Sequence, residues 1–148
     1  MDKEALEHLK ILHTSEIDAR DGYEAANEHA EDDKLIPVFT DMIGLHELNA
    51  QEIAAVLTGF GEKASPDGSF MGAVHRAIVN VRALFQGLDD GVPPGLIEEE
   101  RRNVEKFNAA LKIATFPIPI EALLTAQRDR LQQKIAELET RVSASLHA

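Results

Sequence analysis

Residues 96–111, LIEEERRNVEKFNAAL, carry the clearest helical signal in the chain. Apolar side chains recur there at steps of three and four residues, which is the core-facing stripe of an amphipathic helix. The stripe consists of Leu96, Ile97, Val104, Phe107 and Leu111. Glu100 falls inside it, although an unpaired charge is costly to bury. We therefore interpret Glu100 as an edge residue that reaches solvent, as one half of an internal ion pair, or as a metal ligand.

The composition of the whole chain agrees with a helical protein. Its 148 residues are 44% hydrophobic but only 5% aromatic, and its abundant alanine and leucine favour helices. This length suits a single domain that buries a core. No segment alternates apolar and polar residues as a half-buried strand does.

The charge and the residue types exclude several classes of function. A net charge of −11 argues against binding to nucleic acid or to an anionic membrane, both of which attract clustered Lys and Arg. The chain has no cysteine, which rules out disulfides, thiolate nucleophiles and iron–sulfur clusters. The charged N-terminal stretch lacks an apolar signal segment, and no apolar run reaches the ~20 residues of a membrane helix. We predict a cytoplasmic protein.

Clusters of Gly, Pro and Asp divide the chain into five predicted helices. These span about residues 3–30, 34–58, 70–88, 94–114 and 119–143. Short connections place neighbouring helices antiparallel, which favours a helical bundle. The predicted domains are a four-helix bundle over residues 1–115 and a C-terminal helical segment over residues 116–148.

The fifth helix has a heptad pattern of its own. Leu124, Leu131 and Leu138 lie seven residues apart, and Ile135 and Val142 complete the seam. Arg128 interrupts this seam. Two interpretations remain: the helix packs along its own bundle, or it forms an interface between copies in a homo-oligomer.

Polar residues fall on or beside the apolar stripes of the first two helices. On the first helix, Asp18 and Glu24 are the acids predicted to point inward, and Tyr23 is predicted to bury its ring. On the second helix, His46 interrupts the stripe between Ile43 and Ala50. Two neighbours, Asn49 and Glu52, extend this interruption into a polar patch. A core histidine of this kind is either hydrogen-bonded or a metal ligand.

The third helix offers an imidazole and a cation for the same interior. His75 is predicted to be half-buried, and Arg82 is an internal partner that would explain Glu100 as an ion pair. The remaining histidines are predicted to be peripheral; they are His8, His13, His29 and His147.

Each of the first four helices therefore provides an acid or imidazole that could face inward. Iron and manganese sites in helical bundles are assembled from such groups. The candidate ligands are Glu100, Glu52, His46, Asp18, Glu24 and His75. However, no histidine has a glutamate three residues before it, and this Glu-x-x-His spacing is typical of di-iron bundles. Its absence counts against a standard di-iron oxygenase or ferroxidase.

Three stretches resemble a bacterial family of ferritin-like four-helix-bundle proteins named as a domain of unknown function. They are DARDGYEAA (18–26), DGSFMGAVHRAIVNVRALFQGLD (67–89) and EERRNVEKFNAAL (99–111). The similarity covers about residues 5–113, and the fifth helix resembles an extension that some members carry. The resemblance implies a ferritin-like bundle. Within it, the recurrent polar positions of the family pattern are matched by Asp18, Tyr23, His75 and Glu100.

Two functions follow as hypotheses. The favoured one is a non-catalytic, stress-associated module that acts through oligomerisation or a protein partner. The alternative is an iron- or manganese-binding bundle for storage, sensing, or peroxide and oxygen chemistry. No glycine-rich phosphate loop or nucleophile elbow is present, so an enzyme of this sequence would be a metal-dependent oxidoreductase.

Overall fold

The computed structural model describes residues 1–28, 34–63 and 94–146. Within these residues the protein forms four helices and no β-strand. The helices are α1 (Lys3–Glu28), α2 (Ile36–Gly59), α3 (Pro94–Ile113) and α4 (Ile118–Leu146). The predicted all-α class is confirmed. The helix predicted over residues 70–88 lies outside the described residues, as do His75 and Arg82.

The chain divides into two compact units. Leu6–Ala83 form one unit, which contains α2 and nearly all of α1. Met1–Ala5 and Leu84–Ala148 form the other unit, which contains α3 and α4. The division between residues 115 and 116 stays a prediction.

Local capping sets the ends of α1 and α2. The backbone N–H of Ala5 donates to Oδ1 of Asp2 at 2.8 Å, which satisfies one of the free donors at the start of α1. At the end of α2, Gly61 has a φ of 77°. The N–H of Gly61 donates to Thr58 O at 3.0 Å, and the N–H of Glu62 donates to Leu57 O at 2.9 Å. This Schellman motif confirms the predicted glycine stop.

Helices α1 and α2 pack antiparallel. Lys10, near the start of α1, forms an ion pair of 3.0 Å with Glu62, just after α2. Tyr23, near the end of α1, contacts Phe39 in the first turn of α2. The start of α1 therefore lies beside the end of α2, and the end of α1 lies beside the start of α2. This is the arrangement that a short connection favours.

Helices α3 and α4 pack against each other across a sharp break. The four-residue connection 114–117 separates them, and Pro117 O accepts hydrogen bonds from the N–H groups of Ile120 and Glu121 at 3.0 and 2.9 Å. Arg101 on α3 bonds Glu139 on α4. Nearer the connection, Arg128 on α4 donates a hydrogen bond of 3.2 Å to Asn108 on α3. Residues earlier in α3 therefore meet residues later in α4, so the two helices are antiparallel.

The predicted heptad seam of α4 is buried within the chain. Its described members are Leu124, Leu131, Ile135 and Leu138, all less than one-tenth exposed. The side chain of Val142 lies outside the described part. The seam therefore packs inside the protein itself, which is the first of the two interpretations for this helix.

Candidate functional site

The main polar feature of the α1–α2 unit is centred on Glu16, which is 1% exposed. Its Oε2 atom lies 2.6 Å from Nδ1 of His46 and accepts a hydrogen bond from Nδ2 of Asn49 at 3.2 Å. His46 and Asn49 are three residues apart, so they project from the same face of α2. We refer to Glu16, His46 and Asn49 as the polar cluster.

Aromatic rings form one wall of the polar cluster. The ring of Tyr23 stacks on the imidazole of His46, with centroids 5.7 Å apart and planes inclined by 18°. It also contacts Phe39, with a centroid distance of 6.2 Å. The Tyr23 ring packs against the face of the imidazole, and Glu16 contacts the imidazole at its Nδ1 atom. The predicted burial of the Tyr23 ring is confirmed, because only 8% of the residue is exposed.

The geometry of the polar cluster constrains its chemistry. Nδ1 of His46 lies 2.6 Å from Oε2 of Glu16, so the imidazole and the carboxyl group are joined by a single shared proton. The second carboxylate oxygen, Oε1 of Glu16, is buried and accepts no hydrogen bond from the residues that the structure describes. A buried acceptor of this kind is usually satisfied by an ordered water or a cation.

A further buried histidine lies on α1. His13 is 5% exposed, so the prediction that it is peripheral is wrong. Burial lowers the pKa of His13, and the positive charge of Arg20 lowers it further. His8 is half-buried, while His29 and His147 lie outside the described residues.

The α3–α4 unit has buried polar groups of its own. Glu100 is 0% exposed and Asn103 is 3% exposed, so Glu100 points inward and is not an edge residue. Lys106 donates a hydrogen bond of 3.5 Å to Oδ1 of Asn103. On α4, Gln127 is also 0% exposed.

The structure separates the candidate ligands predicted on α1 and α2. It buries His46 beside Asn49 as expected, whereas Asp18 and Glu52 are half-buried. Glu24 is exposed, and the prediction that it points inward is wrong. The buried face of α1 runs through Tyr23, and the next residue along a helix is turned by about 100°.

Sequence reasoning missed Glu16, although the pattern contains it. Buried or half-buried positions on α1 follow alternating steps of four and three residues: Ala5, Leu9, Leu12, Glu16, Ala19, Tyr23 and Ala26. The sequence predicts an apolar stripe through Leu9, Leu12, Ala19, Tyr23 and Ala26, and position 16 is left out of it because a glutamate occupies it. Strict heptad counting would have placed this acid in the core.

The described side chains provide an incomplete set for a metal ion. In residues 1–28, 34–63 and 94–141, no three His, Asp or Glu side chains come together in a way that could hold one. The polar cluster contributes only two such groups, Glu16 and His46.

Together these features define an all-α protein of packed helix pairs with charged and amide side chains sealed in its interior. Residues 4–113 match the family described as a domain of unknown function, DUF2383, and the chain belongs to that family. Comparisons with curated proteins and with solved structures gave no match. The family match ends at the last residue of α3, so α4 lies entirely outside the family domain. None of the described helices is long and apolar enough to cross a membrane.

Proposed function

We propose that this protein is a non-catalytic helical module that acts by self-association. The observation that carries this proposal is the enclosure of the polar cluster: Glu16, His46 and Asn49 are 1%, 0% and 0% exposed. An acid–base pair in catalysis must come within hydrogen-bond reach of its substrate. A sealed pair suits a structural role better. The association with stress stays a prediction.

The structural role we assign to the polar cluster is to fix the register of α1 on α2. Shifting α2 by about one turn would place Glu16 opposite Met42 or Ile53 instead of His46 and Asn49. The carboxylate would then be buried against apolar side chains, which is strongly unfavourable. Buried polar residues at heptad positions specify register in this way in coiled coils.

The architecture we propose for the family domain is a ferritin-like antiparallel four-helix bundle, with α4 added as a fifth helix. Helices α1, α2 and α3 contain 26, 24 and 20 residues, which corresponds to about 30–40 Å each at 1.5 Å per residue. Similar lengths and the antiparallel α1–α2 pair support this arrangement. The helix predicted over residues 70–88 would be the remaining member.

Self-association is supported by exposed apolar side chains at the α3–α4 break. Ile118 is 83% exposed and Ile113 is 59% exposed, the two highest values among the large apolar side chains of the described residues. They lie five residues apart, on either side of the connection. Exposed apolar side chains near one another in the sequence are candidates for a contact between copies.

Light scattering of the full chain over a range of concentrations tests self-association. We expect a mass that is a multiple of the 16.3 kDa chain. Ile113→Ser with Ile118→Ser should shift the mass toward the monomer. The matched control is Ile11→Ser on α1, where the isoleucine is 57% exposed but far from the connection in sequence. A chain that stays monomeric at every concentration would overturn the proposal.

A second candidate function is iron or manganese binding, and one observation favours it. Oε1 of Glu16 is a buried carboxylate oxygen that receives no hydrogen bond from the described residues, and carboxylate oxygens suit both metals. Glu16 replaces Glu24 as the α1 candidate, alongside His46 of the same unit. The remaining ligands would have to come from outside the described residues.

Elemental analysis tests this second candidate. The protein, purified without a histidine tag, is loaded anaerobically with ferrous iron or manganese and then desalted. Near-stoichiometric metal that is lost in Glu16→Gln, but kept in the exposed control Glu24→Gln, would establish a site. Wild-type protein that retains no metal would reject it.

A further inference from the structure

We draw no further inference here: the strongest candidate, the buried Oε1 atom of Glu16 on the face of α1 that packs against α2, which receives no hydrogen bond from the described residues, belongs to the polar cluster already described and to the metal-binding function already proposed for it.

Discussion

Nδ1 of His46 lies 2.6 Å from Oε2 of Glu16, and neither residue is more than 1% exposed. A carboxylate and an imidazole from two helices, 30 positions apart in sequence, thus share a hydrogen bond away from solvent. In such a setting each group is costly to bury alone and acceptable only with its partner. The contact therefore makes the packing of α1 on α2 sensitive to either residue.

Replacing Glu16 with glutamine should lower the free energy of unfolding by about 1–3 kcal/mol, because the remaining buried partner is left with a poorer acceptor. Urea unfolding followed by circular dichroism measures this change. Glu24→Gln, an exposed position on the same helix, should stay within about 0.5 kcal/mol of wild type. Equal effects for the two variants would contradict the assigned geometry.

Replacing both polar partners at once should give a different result. Glu16→Leu combined with His46→Leu should keep the free energy of unfolding near or above that of wild type, since buried ion pairs often cost as much as they contribute. The double variant should instead lose its single defined register of α1 on α2. This loss should be visible as broadened amide signals in NMR spectra or as several oligomeric species. A double variant that is both uniform and equally stable would remove the register role proposed for the polar cluster.

His13 should make stability depend on pH. Because burial and Arg20 lower its pKa in the folded protein, the unfolded chain binds the proton more readily, with a pKa of about 6.5. The contribution of His13 to the free energy of unfolding is therefore fully present above the unfolded pKa. It is lost as the pH falls below the unfolded pKa toward the lower folded pKa.

Comparing wild type with His13→Gln isolates this effect. As the pH falls from about 7.5 to about 5, the free energy of unfolding of wild type should decrease more than that of His13→Gln. His8→Gln, a half-buried histidine on the same helix, serves as the control. Parallel curves for wild type and His13→Gln would show that His13 does not titrate differently on folding.

Leu131→Ala should lower the free energy of unfolding by about 2–5 kcal/mol, because a fully buried leucine leaves a cavity. Leu131 is 0% exposed, although it lies beyond the family domain. The neighbouring Gln132 is exposed, and Gln132→Ala should change stability by less than about 0.5 kcal/mol. A small effect for Leu131→Ala would mean that α4 is not part of the cooperative core.

The ends of α2 and α3 could be predicted from the sequence. The expected segments 34–58 and 94–114 correspond to Ile36–Gly59 and Pro94–Ile113, within two residues at each end. Glycine, proline and capping side chains act on the residues beside them, so their effect can be recognised in a linear sequence. For the same reason the seam of α4 was predicted from its heptad spacing.

The sequence predicted only some of the polar residues that are buried in the core. Glu100 and His46 interrupt otherwise apolar stripes, and both are buried. On α1, however, the apolar pattern allowed more than one inward face, and Glu24 was chosen where Glu16 is buried. Which face of α1 is buried depends on the helix that it packs against. Residues close to each other in the sequence do not determine this face.

The sequence by itself determined that this protein is helical, where α2 and α3 begin and end, and that polar groups interrupt the apolar faces of its helices. Only the tertiary structure decided that Glu16 is the acid that meets His46 and Asn49, and that the seam of α4 is buried within its own chain. The physical reason is the range of the interactions: helix propensity and capping act over a few residues, whereas burial and pairing depend on side chains that are distant in sequence and close only after folding.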